Sequence, residues 1–136
     1  MRAAVLPGVN LAVWIVSGLL AATYLVAGTL KTTQSPDKLR PQMGWVDDIS
    51  LRTLRLIGVS EILGALGLVL PKVLDVVDDR AGVEGTLSGL AATGLVLVQL
   101  LAIPVHVRRG EATKTPGNVV LLALAAFVAA ARFGWL

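Results

Sequence analysis

The sequence predicts an all-α polytopic membrane protein, a bundle of four transmembrane helices, and three observations lead there. Of 136 residues, 55% are hydrophobic and only 15% are charged, too few charges to cover the surface of a water-soluble domain of this size. The apolar residues gather in four runs, about 11–30, 54–70, 85–107 and 119–135, within one domain spanning 1–136. In hydrocarbon only helices or a closed barrel satisfy the backbone, and four such segments do not close a barrel.

Each element has its own justification. The first run follows Met1 and Arg2, but it exceeds the core of a secretory signal and lacks a small-x-small cleavage site, so it reads as a retained span. Link 1, residues 32–50, is broken by Pro36, Pro41 and Gly44, and Met43 to Val46 read as a segment dipping into the membrane interface. The second run carries one carboxylate, Glu61, near its middle. Link 2, residues 72–84, is acidic, whereas link 3, residues 108–117, is basic and closes on Pro116 and Gly117, with Asn118 expected to cap the last helix. That last helix needs Arg132 to snorkel and Trp135 to lie at the interface, because its strictly apolar part is short.

Charge sets the expected orientation. Links 1 and 3 with their flanking helix ends carry Lys31, Lys38, Arg40, Arg52, Arg55, Arg108, Arg109 and Lys114, against Arg2, Lys72, Arg80 and Arg132 on the other side. The excess of basic residues places links 1 and 3 in the cytoplasm and both termini outside. Trp14 and Trp135 then mark the outer interface and Trp45 the inner one. These cations flank apolar spans, so their partner is the lipid bilayer and not nucleic acid.

A carboxylate at the centre of a membrane helix costs about 2.5–3.5 kcal/mol, so Glu61 is expected to face the protein interior. At 100° per residue, Leu54, Ile57, Gly58, Glu61, Gly64, Ala65 and Leu68 share its face. Tyr24 lies seven residues before Lys31, Glu61 six after Arg55 and Gln99 seven before His106, which sets all three about 9–10 Å deep from one membrane side. The same spacing aligns Ser17, Tyr24 and Lys31 on one stripe. A second, basic layer gathers Lys31, Arg55, His106 and Asn118. The candidate polar core is therefore Glu61, His106, Lys31, Tyr24, Gln99, Arg55 and Asn118, with Glu61 within reach of Tyr24, Lys31, Gln99 or His106. Against this stand plainer readings, in which the cations snorkel and Tyr24 and Gln99 merely join helices. One histidine and no cysteine give no metal site, no thiol chemistry and no self-contained catalytic motif, so no catalytic residue is assigned.

A set of local motifs completes the reading: Ala27-Gly28-Thr29-Leu30-Lys31 ending the first span, Gly44-Trp45 in link 1, Arg55-Leu56-Ile57-Gly58-Val59-Ser60-Glu61-Ile62-Leu63-Gly64 in the second span, and His106-Val107-Arg108-Arg109-Gly110-Glu111 followed by Asn118 and a Leu/Ala-rich last helix. Together they resemble the DoxX-like family of small four-helix bacterial membrane proteins over nearly the whole chain. The acidic stretch 75–84 has no match in that pattern. The resemblance implies redox associations, since related DoxD proteins are subunits of thiosulfate:quinone oxidoreductase and DoxX proteins are linked to membrane oxidoreductase complexes. It implies an accessory subunit in a bacterial cytoplasmic membrane, a quinone-like or other amphipathic ligand in the polar core, and a redox enzyme or a second copy as partner. Two alternatives compete: a non-enzymatic scaffold that binds a partner protein, and a proton or solute pathway through Glu61.

Overall fold

The computed structural model describes residues 7–73 and 83–136. Most of the acidic link 2, together with Arg2 and Arg80 of the charge count, lies outside the described residues. Four long helices carry the fold: α1 (Pro7–Thr33), α3 (Leu51–Val73), α4 (Val83–Arg108) and α5 (Thr115–Arg132), with a short α2 (Pro36–Leu39) and a 3-10 turn (Gly44–Asp48) in link 1. All four long helices are apolar enough to cross a membrane. They form a ring in which α1 packs on α3, α3 on α4, α4 on α5 and α5 on α1.

Local chemistry fixes several of the helix ends. Ser50 Oγ accepts the Thr53 N–H at 3.1 Å, capping α3. From α3, Arg55 Nη1 reaches across to donate to the carbonyls of Lys31 (2.6 Å) and Gln34 (2.8 Å), two acceptors at the end of α1 with no helical donor above them. Arg55 thus closes a helix end. At the end of α4, Gly110 adopts a left-handed φ of 67°, Gly110 N–H returns to the Val107 carbonyl (3.1 Å) and Glu111 N–H to that of His106 (2.9 Å). This is a Schellman stop, and Gly134 makes the same one after α5, with bonds to Ala131 and Ala130.

The last helix differs from expectation at its start. It begins at Thr115, with Lys114 at the N-cap and Pro116 in the first turn, so Asn118 is an in-helix residue and caps nothing. Proline suits that position, since its missing N–H would be unpaired there anyway and its φ is already helical. The helix is shifted more than lengthened, starting four residues before and ending three residues before the 119–135 read from the sequence, and its 18 residues give about 27 Å, close to the hydrocarbon thickness.

The apolar core fills the half of the bundle away from links 1 and 3, where Val13, Leu20, Leu68, Leu95 and Val128 meet around Ala65, Ala92 and Ala125. At that end the Arg132 guanidinium sits 4.6 Å over the Trp14 ring and Phe133 packs on Trp135, so the aromatic residues assemble where an interface belt is expected. At the other end Leu39, Val46 and Leu54 make a small separate cluster that seats link 1 on the bundle. Lys31, Glu61 and Gln99 lie between the two, while buried Ser17 and Ser88 sit within the apolar half.

A buried ion pair and the cavity beside it

Gly28 and Gly58 mark the closest approach of α1 and α3. A Cβ added to Gly28 would lie 2.6 Å from the Gly58 carbonyl oxygen, and one added to Gly58 would lie 2.8 Å from that of Gly28, so the two backbones are in contact. Lys31 and Glu61 each come three residues after this crossing on antiparallel helices. Because side chains lean toward the N-terminus of their own helix, Lys31 tilts deeper into the bundle while Glu61 tilts toward link 1. They converge. Lys31 Nζ donates to both Glu61 oxygens, at 2.6 and 2.7 Å, and Glu61 is 3% exposed. The Trp45 ring, from the 3-10 turn of link 1, lies 5.7 Å from the same ammonium.

The remaining buried polar groups do not join this pair. Gln99 Nε2 donates to the Tyr24 hydroxyl at 2.5 Å, joining α4 to α1 across the bundle. Gln99 is 4% exposed, and its Oε1 has no partner among the described residues. Ser17 Oγ and Asn118 Nδ2 are likewise buried and unpartnered there. Such atoms are uncommon in native interiors, since a buried polar group without a partner costs about 1–3 kcal/mol. Tyr24, Lys31, Glu61, Gln99, His106 and Asn118 all line one cavity of about 880 Å³. Arg55 lies outside it. Six of the seven residues singled out from the sequence therefore share a wall, and the seventh holds the end of α1.

His106 faces the cavity but pairs away from Glu61. Its Nδ1 is 2.5 Å from Glu111 Oε2, a contact the Schellman turn creates by folding Glu111 back over the last turn of α4. Glu111 also accepts from Arg109 Nε (3.0 Å), and Arg109 Nη1 reaches Asp48 in link 1 at 2.5 Å. Lys114 Nζ adds a bond to the Gln42 carbonyl at 2.6 Å. Links 1 and 3 are thereby strapped together across the end of the bundle. Sequence reasoning missed Glu111, Arg109 and Asp48 as a group; the visible signal was a glycine directly after the cationic end of a helix.

The strap is acid-sensitive. Hydrogen bonds from His106 and Arg109 hold the Glu111 carboxyl below its ordinary value of 4.5. A carboxylate with a lowered folded-state pKa contributes stability that is complete above its ordinary value and is lost as pH falls through the lowered one. Acidification from neutrality to well below 4.5 is therefore expected to loosen link 3, where Glu111 faces His106, Arg109 and Lys114 while Asp48 faces Arg109. A spin label at Thr113 should gain mobility over that window, and unchanged mobility would remove Glu111 from the strap.

A family model described as the DoxX-like family matches residues 15–128, which takes in the crossing glycines, the ion pair, the Tyr24–Gln99 bond and the strap. No curated protein and no solved structure matches the chain.

Proposed function

Because this chain belongs to the DoxX-like family, we propose that its cavity takes the polar head of a quinone-like amphiphile and that the protein serves as an accessory subunit of a membrane redox system. The observation that carries the reading is the unpartnered Gln99 Oε1 on the wall of a cavity of about 880 Å³, beside a charge pair that is already internally satisfied. Sites for small amphiphiles combine apolar walls with a few convergent polar groups, in volumes of about 300–1,000 Å³. Tyr24 accepts from Gln99, so its own hydroxyl proton is free to be donated while Gln99 offers a carbonyl. Rotating the Gln99 amide by half a turn inverts both roles. One pair of side chains can thus bind a carbonyl or a hydroxyl, the two forms between which a quinone and its quinol interconvert. The chain holds no cysteine, so any thiol step belongs to a partner enzyme.

The family resemblance suggests a bacterial cytoplasmic membrane as the setting, and the excess of Lys and Arg favours links 1 and 3 on its cytoplasmic side, so that a cysteine introduced at Lys38 should label from that side alone. Quinone extracted from gently purified protein and measured by mass spectrometry tests the site. Gln99→Leu is expected to lower bound quinone about tenfold, the loss of one buried hydrogen bond. Equal occupancy in both proteins, or none in either, would count against the proposal.

A further inference from the structure

If the cavity is the ligand site just proposed, its opening indicates how it is filled. We infer that the ligand enters sideways from the bilayer, between α3 and α4, in the membrane half nearer links 1 and 3, and that it is a neutral amphiphile whose apolar tail remains in lipid. Close packing of α3 on α4 runs from the middle of the bundle into the opposite half. There a Cβ on Gly64 would meet Leu95 at 2.6 Å, one on Gly67 would meet Ala91 at 2.7 Å, and Ser88 Oγ donates to the Leu68 carbonyl at 3.2 Å.

Toward links 1 and 3 the cavity wall passes instead through Leu56, Ile57 and Ser60 of α3 and Leu101, Ala102 and Val105 of α4. Among these, Leu56 is 59% and Leu101 74% exposed, and Ser60 is exposed as well. Residues that line a cavity and also lie on the perimeter of the bundle form its rim. Thr23 of α1 meets that description, but the large apolar side chains that do so, Leu56 and Leu101, belong to α3 and α4. At this depth the perimeter faces acyl chains, so the rim opens to lipid.

The water-facing end is different. Arg109 to Asp48 and Lys114 to Gln42 cross it, with Trp45 beside Lys31 beneath them. Charge defines the head. Lys31 and Glu61 cancel at the deep end, which leaves the Tyr24 hydroxyl and the Gln99 amide as the groups on offer, while the cations Arg108 and Lys114 stay at the mouth. An anionic head drawn to those cations would stop short of Gln99 and Tyr24. A neutral head with a carbonyl or hydroxyl reaches them without displacing an ion pair.

Reconstitution in liposomes with two photoreactive quinones tests this, one with a long isoprenoid tail delivered in the lipid and one without a tail added from water. Ser60 spends its hydroxyl on its own helix, at 2.8 Å from the Leu56 carbonyl, so Ser60→Trp narrows the rim without removing a contact between helices. The long-tailed probe is expected to label wild-type α3 and α4, and Ser60→Trp to slow that labelling at least fivefold while the smaller tailless probe, which passes the narrowed rim more easily, is slowed less. Leu101→Trp, on the facing rim, should do the same and serves if the first variant folds poorly. Labelling that persists at the wild-type rate in both variants overturns the lateral route and leaves the ligand site standing. Failure of both probes to label the wild type overturns the site and the route together, and a co-purified phospholipid that excludes the long-tailed probe overturns the neutral head.

Discussion

Glu61→Leu alone is expected to destabilise the protein by about 3 kcal/mol, and Lys31→Met added to it to restore most of the loss. The single change strands the Lys31 ammonium, buried and aimed inward by the direction of its own helix, whereas the double change leaves two apolar side chains of similar bulk where the pair stood. Breaking a buried pair from one side usually costs about 3–5 kcal/mol, and the cost here falls at the lower end because Lys31 sits in the last turn of α1 and can swing toward water at some strain. Unfolding free energies in bicelles would measure both. A double variant as unstable as the single would mean that the carboxylate holds the helices by something other than charge. If the double variant is stable and still binds ligand, the pair is architecture; if it is stable and empty, the pair belongs to the site.

Gly28→Val is expected to be the other severe change, costing about 3 kcal/mol or more, with Gly64→Ala costing about 1 kcal/mol or less. Both added Cβ atoms would meet a neighbour at 2.6 Å, but the neighbours differ. At Gly28 it is the Gly58 carbonyl oxygen, which belongs to a helix backbone and retreats only if α1 and α3 separate. At Gly64 it is a Leu95 methyl, which a rotamer change removes. Even Gly28→Ala should lose, because overpacking of about 1–3 kcal/mol exceeds the roughly 1 kcal/mol that alanine gains over glycine in a helix. Thermal stability in detergent ranks the three, and a tolerated Gly28→Val would show that the crossing is loose.

The four spans could be read in the sequence because apolar runs of membrane length admit one secondary structure. The inward face of α3 was readable too: Leu54, Gly58, Glu61, Ala65 and Leu68 are its buried residues, as a 100° period requires. Pairing within the polar layer was not readable. Depth counted from helix ends placed Tyr24, Glu61 and Gln99 at one level, but which side chain meets which depends on helix rotation and on the direction each Cβ leans. Those settle Lys31 on Glu61 and Gln99 on Tyr24. Arg55 was grouped with the polar core because it is basic and near Lys31; its role became clear only with the two bare carbonyls at the end of α1 in view. The start of α5 was misjudged because Pro116 and Gly117 read as the close of a link, although proline fits a first helical turn as well as it ends a loop. Glu111 was missed since its partner is reached by reversal through Gly110, a contact that helical periodicity does not count.

The order in which the chain is made gives the α1–α3 junction a further meaning. As α1 leaves the ribosome it carries a lysine without its counter-ion and two terminal carbonyls without donors, and all three needs are met from α3, by Glu61 and by Arg55. Glu61 is translated 30 residues after Lys31, an interval of roughly 1.5–6 s at ordinary synthesis rates. Until then the lysine end of α1 has reason to stay at the membrane surface, and the arrival of α3 draws it in. On that order the first two spans are expected to pair as a hairpin before α4 and α5 join them, which pairing of α1 with α3 in a chain truncated after Val73 would test.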